Sequence, residues 1–89
     1  MPSIDIVISN KLGLHARAAA KLVHTAARFK SSIKIKKGDE EVDGKSILGI
    51  LLLAAGKGSM ITVRAEGEDE AAAVEAIEQL IDAKFDESE

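Results

Sequence analysis

Apolar residues in this chain switch repeatedly between two spacings, and the switches leave little freedom in what it folds into. Ile4, Ile6 and Ile8 alternate with Asp5, Val7 and Ser9, the period of a strand with one buried face. After a turn at residues 10–13 the spacing becomes three and four. Ala19, Leu22, Val23, Ala26 and Phe29 form the stripe of an amphipathic helix from residue 16 to about 29, with Arg17, Lys21, His24 and Arg28 as a basic stripe on its other side. Ile33 and Ile35 return to alternation, and after Gly38 and Asp39 a short, weakly patterned third strand is expected at residues 40–43. Ser46 stands at the N-cap of a short helix over residues 47–54. Gly56, Lys57 and Gly58 break the chain before a fourth strand at 60–65. The acidic run 66–69 suits the positive end of a last helix over 70–84, which sets Val74, Ile77, Leu80 and Ile81 against Glu75, Glu78 and Asp82. The order βαββαβα reads as an α/β chain of the α+β kind: one sheet with helices covering one face.

Eighty-nine residues allow a single domain, 1–89. The chain has no cysteine, so disulfides and thiolate metal sites are excluded, and its two histidines make no zinc cluster. The longest apolar run, residues 50–55, is far short of the roughly 20 residues of a membrane span. Asp5 interrupts any signal-like stretch, and a cytoplasmic domain with no membrane insertion is expected. The net charge of −3 conceals a gradient. Residues 1–37 carry eight Lys/Arg against Asp5 alone, giving +7, whereas residues 64–89 carry Arg64 and Lys84 against ten carboxylates, giving −8. A basic half of this kind suits nucleic acid or an acidic protein surface. With Phe29 and Phe85 the only aromatics, there is no platform for stacking bases, and no nucleic-acid partner is expected.

Residues 47–53 are apolar all the way round. A two-layer domain covers one side of a short helix, so Ile50 and Leu53 should face the sheet. Leu48, Leu51 or Leu52 should then stand exposed together. A docking patch on a monomer is the preferred reading; self-association into a dimer is the alternative.

His15 follows the Gly13-Leu14 turn at the start of the first helix, two residues before Arg17. A solvated cap-region histidine is the plain alternative. The first turn of a helix, however, has N–H groups without intrahelical partners and a partial positive charge, which binds anions and favours a neutral, nucleophilic imidazole. Arg17 adds a guanidinium suited to phosphate oxygens. Nothing marks out a serine to complete a hydrolytic triad. His24 lies mid-helix with no such turn and reads as solvated or partner-facing. Gly44-Lys45-Ser46 resembles the end of a nucleotide-binding loop, but position 39 is Asp where that loop needs glycine, and four nearby carboxylates repel a triphosphate. Ser46 needs no role beyond capping. A phosphoserine there would nevertheless be tolerated by the helix and unwelcome to an acidic partner.

Taken together, Gly13-Leu14-His15-Ala16-Arg17 followed by Ala18-Ala19, and Lys45-Ser46-Ile47-Leu48-Gly49-Ile50, resemble the active-site and regulatory motifs of the HPr family, the histidine-containing phosphocarriers of the bacterial phosphoenolpyruvate-dependent phosphotransferase system. Gly58, the strand to Ala65 and residues 66–70 also match, so the similarity runs over about residues 3–84. The resemblance implies an open-faced sandwich, a four-stranded antiparallel sheet with three helices on one face. It implies that His15, helped by Arg17, accepts a phosphoryl group on Nδ1 from phosphorylated enzyme I and passes it to sugar permease A subunits. Ala16, Ala20, Lys21, His24, Ile47, Leu48 and Leu51 would form the docking face. Ser46 would be the target of a serine kinase/phosphorylase, its phospho-form a signal to a transcription regulator. No cofactor or metal is implied, and the domain would be a substrate of enzymes rather than a catalyst. One departure stands out: the family usually has proline where this chain has Ala18, which should leave the helix intact and add one N–H donor near the phosphate. The runner-up reading is the nitrogen-related branch, whose carrier has a similar turn to Asn10-Lys11-Leu12-Gly13. A regulatory module acting through Ser46 and the apolar patch is the alternative of a different class, and His15 argues against it.

Overall fold

A computed structural model of the protein describes residues 2–86. The alternating segments are strands and the three-four segments helices: β1 Ser3–Val7, α1 Ala16–Ala26, β2 Ser32–Lys37, β3 Glu40–Asp43, α2 Ile47–Leu52, β4 Met60–Glu66 and α3 Glu70–Asp82, followed by a 3-10 turn at Lys84–Asp86. The strands form one antiparallel sheet in the order β1-β4-β2-β3. Its register pairs Ile4 with Val63 and Ile6 with Ile61, then Ile33 with Ala65 and Ile35 with Val63. These side chains share one face, and Ala18, Ala19, Leu22 and Ala26 of α1, Ile50 of α2 and Ala73, Val74, Ile77 and Ile81 of α3 complete the core against it. The result is the expected open-faced sandwich with three helices on one face.

The opposite face is largely polar, with Val7 and Met60 as an exposed apolar pair at one end. Ser3, Arg64, Lys34 and Asp43 form one row across the four strands, and Asp5, Thr62, Lys36 and Glu41 the next. Arg64 reaches Glu41 at 3.2 Å, and the Thr62 hydroxyl donates to Asp5 at 2.6 Å. The weakly patterned β3 holds its place partly through charge, because Lys34, Lys36 and Lys37 stand opposite Asp43, Glu41 and Glu40.

Three helix ends fall short of the expected positions. α1 stops at Ala26 because the N–H groups of Arg28 and Phe29 turn to Thr25 and Ala26 in tighter three-residue bonds. The Lys45 ammonium then takes the Phe29 carbonyl at 2.7 Å. α2 ends at Leu52, and Ala54 has φ +50. α3 ends at Asp82, after which Phe85, fully buried, turns into the core while its carbonyl accepts from the Lys21 ammonium at 2.6 Å.

The acidic lead-in to α3 also differs from expectation. Asp69 occupies the N-cap position but makes no side-chain cap bond. Its carboxylate instead accepts from the N–H groups of Lys30 and Ser31, each at 2.9 Å, and from the Ser31 hydroxyl. These donors, the Ser31 hydroxyl foremost, hold its pKa down at about 2. Asp69 is therefore a tie between the α1–β2 turn and α3 rather than a partner for the helix dipole.

Candidate functional site

The turn before α1 is stitched on both sides. Asn10, buried, donates from Nδ2 to the Gly13 carbonyl at 2.8 Å, while its own carbonyl accepts from the Gly13 N–H at 3.2 Å. The Leu14 N–H donates to the Ala55 carbonyl at 2.8 Å, and the Leu14 side chain is buried. Gly13 has φ +68, and a Cβ there would lie 2.6 Å from the Ala55 carbonyl oxygen, so both the backbone conformation and the close approach require glycine. The turn thereby hangs from the segment that follows α2 and delivers the next residue, His15, to the N-cap of α1.

His15 has the extended backbone of an N-cap (φ −74, ψ 177), and its Nδ1 accepts from the Arg17 N–H at 3.2 Å. An acceptor at Nδ1 leaves the proton of the neutral ring on Nε2. The Nδ1 lone pair thus lies at the positive end of an 11-residue helix. Helix geometry leaves the N–H groups of Ala16, Arg17 and Ala18 without intrahelical acceptors; the first intrahelical bond runs from the Ala19 N–H to the His15 carbonyl. The exposed Arg17 side chain belongs to the same turn. The Nδ1 of His15 and the backbone N–H groups of the first turn of α1 thus lie together at the positive end of the helix, with Arg17 in the same turn.

Along α1, Ala16, Ala20 and His24 are exposed, and His24 lies in the last turn, where a cation is favoured. Lys21 is half-buried, its ammonium committed to Phe85. α2 packs against α1 and shows the expected split. Ile50 and Leu53 are buried, while Ile47, Leu48, Leu51 and Leu52 are exposed, Leu48 by 65 % and Leu52 by 66 %.

Ser46 caps α2, its Oγ accepting from the Gly49 N–H at 3.1 Å. The rest of the Gly-Lys-Ser segment is tied into the fold: the Gly44 N–H donates to the Ile33 carbonyl, and the Lys45 ammonium donates to the Phe29 carbonyl. Among the described residues no group of three or more His, Cys, Asp or Glu is arranged to hold a metal, and no helix is long and apolar enough to cross a membrane. Sequence reasoning missed Asn10 as the brace of the His15 turn. An asparagine three residues before a glycine was the available signal.

The family described as PTS HPr component phosphorylation site matches residues 2–83. The chain is 49 % identical to the phosphocarrier protein HPr of Pseudomonas aeruginosa, with both covered in full. It is 48 % identical to the phosphocarrier protein NPr of Shewanella violacea, over 94 % of this chain and 92 % of that one. The crystal structure of an HPr from Thermoanaerobacter tengcongensis superposes with a TM-score of 0.97 at 44 % identity, covering 100 % of each chain. With sequence, full-length coverage and fold in agreement, the chain belongs to the HPr family, the phosphocarrier proteins of the phosphotransferase system.

Proposed function

We propose that His15 is the carrier residue, taking a phosphoryl group on Nδ1 from phosphorylated enzyme I and passing it to the A subunit of a sugar permease. The observation that supports this most is the seat of Nδ1 against the Arg17 N–H at the start of α1. In the forward step the Nδ1 lone pair forms the P–N bond, the bond from phosphorus to the donor atom breaks, and that electron pair stays on the donor. The ring proton remains on Nε2. The phosphoryl oxygens then take the place of Nδ1 as acceptors for the first-turn N–H groups, and the Arg17 guanidinium offsets their charge.

Donor and acceptor share one docking face, made by Ala16, Ala20 and His24 of α1 with Ile47, Leu48 and Leu51 of α2. Lys21 contributes its stem. The protein works as a monomer, since this face must be free for each partner in turn. Ser46 is a regulatory site for a serine kinase: a phosphate there adds about −1.5 to −2 charges at the start of α2, which the helix tolerates and an acidic partner does not. The Ser46 motif favours the sugar branch, and the residue 10–13 turn favours the nitrogen branch.

Intact mass after incubation with phosphoenolpyruvate and enzyme I tests the carrier role. One acid-labile phosphoryl group should appear on the wild type and not on His15→Ala. Sugar- and nitrogen-type enzyme I, run side by side, decide the branch by which modifies the protein faster. Modification by neither would overturn the carrier reading.

A further inference from the structure

On the sheet face turned away from the helices, Lys34 of β2 stands directly opposite Arg64 of β4. Like charges facing each other across an antiparallel pair repel, so the arrangement calls for compensation. The neighbouring carboxylates do not supply it to Lys34. Asp43, its partner on β3, accepts from the Lys45 N–H at 2.9 Å, and Glu41 takes Arg64 at 3.2 Å. Among the described residues the half-buried Lys34 has no ion pair. Beside the two cations the surface sinks into a recess of about 70 Å³, lined by Ser32, Lys34, Arg64, Ala65 and Glu66. Three donors, the Ser32 hydroxyl, the Lys34 ammonium and the Arg64 guanidinium, therefore border a space far smaller than the roughly 300–1,000 Å³ that takes a drug-sized molecule.

We propose that this recess binds the phosphate group of a phosphate monoester, on the side of the sheet opposite the helix layer that carries His15. A phosphate group carries about −1.5 to −2 charges at neutral pH on three acceptor oxygens, which suits two cations and a hydroxyl better than a singly charged, planar carboxylate does. The Arg64–Glu41 pair is exposed, so the guanidinium turns to a ligand at little cost, and Glu41 keeps Lys36 opposite it. Glu66, on the rim, opposes the anion and holds the affinity down. Occupancy leaves the His15 side of the molecule uncovered, and the proposal does not depend on the role of His15.

The test is a titration of 15N-labelled protein with inorganic phosphate and with methyl phosphate, at fixed pH and ionic strength, followed residue by residue by NMR. The backbone amide signals of Ser32 and Lys34 and the Nε–H signal of Arg64 should move together and saturate. Acetate at the same ionic strength should move them little. The amides at the start of α1 give a separate curve, so binding near His15 is not confused with binding in the recess. Lys34→Gln should weaken phosphate binding in the recess roughly tenfold, the scale of one charge-assisted hydrogen bond. Lys36→Gln removes the same charge from the same face outside the recess and should change binding by no more than about twofold. Glu66→Gln should tighten it about twofold to fivefold. Amide spectra unchanged away from the substitution establish that each variant is folded. Signals of Ser32, Lys34 and Arg64 that stay in place, an equal response to acetate, or equal losses from Lys34→Gln and Lys36→Gln would each overturn the proposal.

Discussion

Phe85 is the side chain whose removal should cost this fold most for its place in the sequence. The ring is 0 % exposed and lies between α1 and α3, although the three residues of its turn, Lys84, Phe85 and Asp86, hold φ of +55, +55 and +63. Left-handed backbone costs an ordinary residue roughly 1–2 kcal/mol, so the turn persists only because ring burial and the Lys21 bond outweigh it. Phe85→Ala should remove about 3–5 kcal/mol, the range for truncating a buried aromatic. A chain of this size has a total stability of about 4–13 kcal/mol. The melting temperature should therefore fall by about 12 °C or more. With no tryptophan or tyrosine, the assay is far-UV circular dichroism in urea. The slope of stability against urea should also fall, because a released turn leaves less surface to expose on unfolding. A loss below about 1 kcal/mol with an unchanged slope would show that the ring does not anchor the turn and would refute the reasoning.

Asp69 makes stability pH-dependent in one direction. Its pKa is about 2 in the fold against an ordinary 3.8, so its contribution is present above pH 3.8 and disappears as pH falls towards 2. Urea titrations should show that acid limb in the wild type and a flatter one in Asp69→Asn. Gly67→Ala should destabilise by roughly 1–3 kcal/mol, since φ is +148 and the new Cβ would meet Ser31 Oγ at 2.7 Å; a melting temperature within a degree of wild type would contradict this. Leu48→Asp should leave stability within about 0.5 kcal/mol while slowing phosphoryl uptake from enzyme I, measured as initial rates by intact mass. Ser46→Asp keeps a capping oxygen, so it should melt like the wild type yet accept phosphate more slowly; equal rates would remove Ser46 as a regulatory site.

Period and charge made most of this legible. The strands follow from alternation because one face of the sheet meets helices and the other water. The split of α2 into Ile50 and Leu53 against Leu48 and its neighbours follows from what a two-layer domain covers. The place of His15 and Arg17 at the start of α1 was legible from the turn at residues 10–13 and the change of period after it. What stayed hidden depends on partners distant along the chain. Asp69 reads as helix-start charge until Ser31, 38 residues earlier, is seen beside it. The end of α1 carries no glycine or proline, and it stops where the tighter bonds of Arg28 and Phe29 and the reach of Lys45 redirect the chain. Phe85 lies past the last periodic residue of α3, where spacing carries no information.

The bonds of Lys21, Lys37 and Lys45 to carbonyl oxygens have a chemical consequence. Lys21, Lys37 and Lys45 donate to Phe85, Leu53 and Phe29 at 2.6, 3.3 and 2.7 Å, each near the end of a helix or turn. An ammonium held this way must break its bond and lose a proton before it can be acylated. Amine-reactive labels should therefore reach Lys57 and Lys30, both exposed, well before these three. The order of lysine acylation then becomes a solution record of whether the ends of α1, α2 and the C-terminal turn are closed. The same rule would make acetylation at Lys45 a structural lesion and at Lys57 a silent mark.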